Sequence, residues 1–151
     1  MENPRIPKAS ILHACIIKQQ LTIHDFEKEI KSIKVELTAH EESASQEHRG
    51  FAERNELLVR IEHELEFLKK ELISLEEIDP EKSSTQVEAG AVVATDQRIF
   101  FISTSIEQVD VNGFQIVGIS LKAPIYPGMK GKKSGESFEY GGVHYRILDV
   151  Y

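Results

Sequence analysis

Glu41, Glu42 and Glu47 fall within one polar stretch, Glu41 to Gly50, in which Arg49 is the single cation. Grouped carboxylates are oxygen donors suited to a hard cation. The same residue types also make an ordinary solvated helix turn. His40 and His48 stand near them, but without the tight ligand spacing of a transition-metal site. His13, His24, His63 and His144 are scattered and read as surface residues. Cys15 is the one cysteine, so no disulfide forms within the chain. It flanks an apolar helix position and has no activating neighbour, which makes it a packing residue. Gly128, Gly131 and Gly135 lack the strand–loop–helix context of a phosphate loop.

Two apolar stripes position the carboxylates. Before them, Leu12, Ile16, Ile23, Phe26, Ile30, Ile33 and Leu37 recur in alternating steps of four and three, with Gln19 as the one interruption. After them come Phe51, Leu58, Ile61, Leu65, Leu68, Leu72 and Leu75, with Arg54 at the one polar seam position. A mean step of about 3.5 is the spacing of a coiled-coil seam. Leu37 with Phe51, Ile30 with Leu58, Ile23 with Leu65 and Ile16 with Leu72 all share the midpoint Ala44. Residues 8–78 therefore read as an antiparallel helical hairpin that turns at 43–45, with Ser45 able to cap the second helix. At about 1.5 Å per residue, an arm of roughly 30 residues is on the order of 45 Å long. Its far end carries the carboxylates. The charged positions between the stripes read as solvated outer faces.

Pro4 and Pro7 keep the first helix from reaching the start of the chain, and Asp79-Pro80 ends the second. Residues 80–86 read as a linker. The pattern then changes from helical to strand-like. Ala91–Ala94 and Arg98–Ile102 are apolar runs, and Val109–Val111 and Phe114–Val117 flank Asn112-Gly113, the strongest hairpin signal in the chain. Lys122–Gly131 breaks the pattern with two prolines and two glycines, and Ser137–Tyr140 with His144–Val150 form a second hairpin across Gly141-Gly142. The expected fold class is α+β: a coiled-coil hairpin over 1–79, with its acidic tip at 41–50, then a small antiparallel β domain over 87–151. Its core would come from Val, Ile, Phe and Tyr at alternating positions.

Composition sets bounds. The 151 residues carry a net charge of −7, so the chain as a whole is not built to hold duplex phosphates by charge. The deficit lies in residues 1–79, with 17 acidic and 11 basic side chains, against 8 and 7 in the remainder. An apolar signal core and a membrane-length run are both missing, which predicts a cytoplasmic protein without a membrane partner.

Several segments in order carry a family resemblance: Gly118-Ile119-Ser120-Leu121-Lys122-Ala123-Pro124-Ile125, Met129-Lys130-Gly131-Lys132-Lys133-Ser134-Gly135-Glu136, and Tyr145-Arg146-Ile147-Leu148. Together with the hairpin they resemble the bacterial Gre transcription elongation factors across nearly the whole chain. The first helix and the direct Gly-Gly hairpin look most like the Gre-related proteins of the Bacteroidetes group. The resemblance implies an FKBP-like fold for the second domain. It also implies a mode of action. The second domain docks on RNA polymerase by its secondary channel, and the hairpin enters toward the active centre and its nucleic acid. Tip carboxylates help hold a Mg2+ ion of the polymerase, which then cleaves its own backtracked transcript.

Matched position by position, the resemblance puts the family's tip glutamate at Glu47 and its nearby aromatic at Phe51. It puts Ala44 where an aspartate is usual. Ala44 has no metal-binding group, and Glu41 and Glu42, about one turn earlier, are the carboxylates that would substitute. In the docking region Ser120 and Pro124 match, Lys122 replaces a frequently acidic position, and Ala123 replaces a serine. Lys130, Lys132 and Lys133 form a basic patch suited either to an acidic polymerase surface or to keeping a loop soluble. The expected protein is a monomer, with no active site and no cofactor of its own. Two other classes remain. One is a prolyl isomerase or chaperone, whose pocket Phe100, Phe101, Phe114, Phe138, Tyr140 and Tyr145 would line unless they are core. The other is a coiled-coil adaptor or dimer with no polymerase role.

Overall fold

In a computed structural model of the chain, the backbone is described for residues 5–42 and 48–151 and the side chains for residues 5–39 and 50–151. The elements run α1 (Lys8–Glu42), α2 (His48–Glu76), β1 (Val92–Thr95), β2 (Ile99–Ser103), β3 (Ile106–Val111), β4 (Phe114–Ser120), α3 (Tyr126–Met129), β5 (Ser137–Tyr140) and β6 (Val143–Val150). The class is α+β, a long helix pair followed by a six-stranded sheet. Among the described residues, no helix is long and apolar enough to cross a membrane. The chain divides into two compact units, one of residues 1–18 with 73–151 and one of residues 19–72. Both cuts fall inside the long helices, and the 80–86 segment lies within the first unit.

In the second unit, residues 19–72, the stripes meet as their spacing requires. Ile23, Ile30, Ile33 and Leu37 pack against Leu58, Ile61, Leu65 and Leu68, with Phe26, Phe51, Leu57 and Leu72 at the margins. The direction and register show in two polar contacts. Gln19 Nε2 donates to the Leu68 carbonyl at 3.0 Å, and Arg54 Nε lies 3.3 Å from Glu36 Oε2. Both pairs centre within one residue of position 44, in agreement with the seam arithmetic. The two polar interruptions of the stripes thus have partners. Gln19 is buried and bonded across the seam, and Arg54 is half-buried beside a carboxylate. The expected turn at 43–45 and the Ser45 cap lie outside the described residues.

In the first unit, the helix ends are set by proline. The Pro7 carbonyl accepts from the amides of Ser10 and Ile11, so the residue that cannot continue a helix backwards starts α1. After α2, Asp79 Oδ1 accepts the Glu81 amide and turns the chain across Pro80. Ile11, Leu12, Cys15 and Leu75 then cover one face of the sheet, packing with Val92, Phe101, Ile106, Val109, Val111, Ile116 and Tyr151. These helix residues bury against sheet side chains, whereas the seam from Ile23 onward has only the opposite helix. A second core fills the other face. Val93, Phe100, Ile102, Ile119, Tyr145, Ile147 and Val150 lie under Val87, Ala91, Tyr126 and Met129.

The sheet order is β3-β4-β2-β1-β6-β5. The sheet is mostly antiparallel, as the hairpin signals lead one to expect: four pairings are antiparallel, and β2 and β4 pair in parallel. The connection from β2 to β3 passes over β4, leaving a slot that β4 fills. Gly118 makes this crossing possible. A Cβ on it would lie 2.6 Å from the Thr104 carbonyl oxygen and 2.9 Å from Ile106 Cβ. The Asn112-Gly113 turn forms as expected, with φ of 51° and 83° joining the paired Val111 and Phe114.

Two stability measurements follow from these contacts. Gln19→Ala is expected to cost about 1–3 kcal/mol in urea denaturation, from the cavity and the lost bond to Leu68. Gln19→Leu, which nearly conserves volume, is expected to cost distinctly less. Gly118→Ala pushes against backbone atoms that cannot rotate aside, and a loss of about 1–3 kcal/mol or more is expected. A melting temperature unchanged by Gly118→Ala would show that the crossing relaxes.

Candidate functional site

The residues singled out by sequence fall in two places. Glu41 and Glu42 are the last two residues of α1. Their side chains, with Ala44 and Glu47 entirely, lie outside the described residues. Phe51 is in the first turns of α2, half-buried against the helical core. It packs the hairpin near its end, as does Leu37, the residue expected opposite it.

Ser120, Lys122 and Pro124 are brought together by the turns that follow β4. Ser120 ends the strand, level with Ser103 of β2. Its Oγ accepts the Lys122 amide at 3.3 Å and its carbonyl accepts the Ala123 amide at 3.1 Å. The Ala123 carbonyl then accepts the Tyr126 amide, and the Tyr126 carbonyl accepts the Lys130 amide. Pro127 sits in the first turn of α3, where its fixed φ suits helix entry and its missing N–H is not needed. Ala123 and Ile125 pack on the second core, so Lys122 and Pro124 are left exposed, with Leu121 beside them at 50%. The Ser120 hydroxyl is thus partly engaged in shaping its own turn.

The following loop is held at both sides. The Gly131 amide donates to the Val87 carbonyl, and the Val87 amide donates back to the Lys132 carbonyl, both at 2.8 Å. Gly131 has φ of 77°, which the close return of the chain requires. Glu136 Oε2 accepts the Lys133 amide, Ser134 Oγ donates to the Leu148 carbonyl, and the Gly135 amide donates to the Ile147 carbonyl.

Acid–base character is sparse. Burial pushes the fully enclosed Cys15 thiol up to about 11, which keeps it protonated at neutral pH. Burial also raises Tyr126 and Tyr151 and lowers Lys8, the last partly offset by Glu88 and Asp79. None of these is a nucleophile set against a base. Among the described residues, no group of three His, Cys, Asp or Glu side chains could hold a metal ion. The aromatic residues divide. Phe138 stacks on Tyr145 with centroids 4.9 Å apart, Phe100 meets Tyr145 edge-on at 5.7 Å, and Phe101 is buried. Phe114 and Tyr140 are exposed. Phe100, Phe101, Phe138 and Tyr145 are thus core side chains.

One feature escaped sequence reading. A cavity of about 1190 Å³ opens between the N-terminal segment at Arg5, the turn at Arg98 and the turn at Gly113. Its charged pair is already joined, with Arg5 Nε and Nη2 donating to the Asp149 carboxylate at 2.8 and 3.0 Å. Arg5 also lies over the Tyr151 ring, whose hydroxyl donates to the Ile6 carbonyl. Partners 144 and 145 residues apart leave no local signal.

No protein-family model matches the chain, and no curated protein sequence matches it. Among solved structures, it aligns with one described as the transcription factor Gfh1, at 14% identity over 91% of this chain and 94% of that one, with a TM-score of 0.39. It aligns with GreA factor homolog 1 (Gfh1) of Thermus thermophilus at 13% identity over 91% and 95%, with a TM-score of 0.33. It also aligns with Thermus aquaticus Gfh1 at 14% identity over 92% and 95%, with a TM-score of 0.32.

Proposed function

We propose that this protein regulates transcription elongation by acting on RNA polymerase. The sheet unit docks beside the secondary channel through the turn at Ser120, Lys122 and Pro124. The hairpin end works inside the channel. The observation that carries the reading is the register of α1 against α2. The contacts Gln19–Leu68 and Glu36–Arg54 are both centred within one residue of position 44, and on that register we take Glu41, Glu42 and Glu47 as the carboxylates of the working end. The segment 118–136, which carries most of the family resemblance, supports the docking half.

The chemistry in this reading belongs to the polymerase, and so does the Mg2+ ion. Glu47, with Glu41 or Glu42, offers the oxygen donors that such an ion accepts, and Ala44 offers none. The chain's own contribution is to occupy the channel and set carboxylates near the metal, with a weaker donor set than an aspartate at position 44 would give. It acts as a cytoplasmic monomer with no active site of its own. Two observations weigh against the other classes. Phe100, Phe138 and Tyr145 are spent on the core, which disfavours an isomerase. The seam pairs Leu37–Phe51, Ile30–Leu58, Ile23–Leu65 and Ile16–Leu72 share one midpoint, which favours a hairpin within one chain over a two-chain coil.

The test is transcript cleavage in a backtracked elongation complex of the cognate polymerase. Wild type, Ala44→Asp and Glu47→Ala are all expected to bind. Ala44→Asp is expected to raise the cleavage rate on the order of tenfold or more by adding a ligand. Glu47→Ala should remove whatever stimulation the wild type gives. Failure of the wild-type protein to bind polymerase would overturn the reading.

A further inference from the structure

The chain is acidic, yet residues 121–136 hold four lysines, Lys122, Lys130, Lys132 and Lys133, against one glutamate, Glu136. They flank α3, and Ala123, Ile125, Tyr126 and Met129 tie this run to the second core, on one face of the sheet. The backbone there is fastened from both sides, by Val87 and by Ile147 and Leu148. The charged ends are not neutralised in the same way. Glu136 meets the Lys133 backbone amide, and no described carboxylate forms an ion pair with any of the four ammonium groups. Lys122, Lys130 and Lys133 are exposed and Lys132 is half-buried.

We propose that this lysine-bearing run is a docking surface for an acidic patch on a protein partner. The inference rests on the polymerase reading and adds the chemistry of the surface that the protein meets. Fixed backbone with unpaired cations is preorganised for charge complementarity, because little is lost in ordering it on contact. Exposed Leu121 and Pro124 supply apolar contact beside the charge, as a protein interface requires. Nucleic acid is the weaker fit. The run's one aromatic, Tyr126, is buried and offers no face for a base to stack on, and the net charge of −7 repels a polyanion.

Affinity of the full chain for the cognate core polymerase should be measured as salt is raised. Lys130→Glu/Lys132→Glu/Lys133→Glu and Lys122→Glu are compared with Arg98→Glu, which makes the same charge change elsewhere on the sheet unit. Circular dichroism confirms that each variant folds, and Lys→Gln versions separate lost attraction from added repulsion. The expected result is a loss of about tenfold or more for the triple reversal, a smaller loss for Lys122→Glu, and little change for Arg98→Glu. The salt dependence should flatten in the Lys→Gln versions. If the wild type binds polymerase and the Lys130→Glu/Lys132→Glu/Lys133→Glu reversal binds equally well, the lysine surface is refuted and the functional reading, which docks through the turn at Ser120, Lys122 and Pro124, survives. If the wild type does not bind at all, both fail together. If a short fluorescent RNA binds through these lysines while polymerase affinity ignores them, the surface serves nucleic acid and the proposal is overturned.

Discussion

Two apolar stripes must hide from water, and along residues 19–72 the described seam residues of each helix pack against the opposite helix. A seam of this kind is worth little unless the registers match, because a slip sets knobs against knobs. Leucines and isoleucines alone tolerate alternative alignments. The buried amide of Gln19 tolerates fewer, since its donor has to find a carbonyl in an otherwise apolar setting. At the bond to Leu68 that need is met. Any slip would leave the amide unpaired. A residue that interrupts the stripe is in this sense a part of what aligns it.

The sheet depends on a comparable constraint of shape. β4 can lie between β3 and β2 only if the β2–β3 connection crosses it closely, and the missing Cβ of Gly118 provides the clearance. This gives a structural account of one glycine in the segment that carries the family resemblance. Ser120, two residues later, likewise shapes a turn. Residues in such a segment serve the fold and the surface together. Lys122 and Pro124 are left exposed by the same turn.

Much of this was readable before any coordinates. The heptads gave both helices and their register, and Asn112-Gly113 announced its turn because both residues accept positive φ. Other features were hidden for physical reasons. Period-two alternation says which face a strand residue occupies and nothing about which strand lies beside it, so the parallel β2–β4 pair could not be seen. Leu12 and Leu75 look like any seam residues, and only the sheet beneath them distinguishes their surroundings from those of Ile30. Of the candidate site, the turn after β4 was legible as a broken pattern with two prolines. The clasp of Arg5 on Asp149 was not, because its halves are at opposite ends of the sequence.

Three buried or half-buried donors follow one rule. Gln19 reaches the Leu68 carbonyl, Lys8 the Lys82 carbonyl at 2.7 Å, and the Tyr151 hydroxyl the Ile6 carbonyl at 2.7 Å. Each joins segments remote in sequence, and each ends on backbone rather than on an opposing charge. A buried ion pair must desolvate two charges and often returns little net stability. A side chain donating to a carbonyl desolvates less and still fixes position, because the acceptor belongs to a rigid element. Lys8 is the informative case. Glu88 and Asp79 lie close enough to influence its charge, yet the direct bond is to the carbonyl of the segment that follows α2. That bond fastens a stretch, holding Pro80, Ser83 and Ser84, that forms no helix or strand. The same chain leaves Lys122, Lys130, Lys132 and Lys133 without an ion pair to any described carboxylate, and in our proposal those cations face a surface that belongs to another molecule.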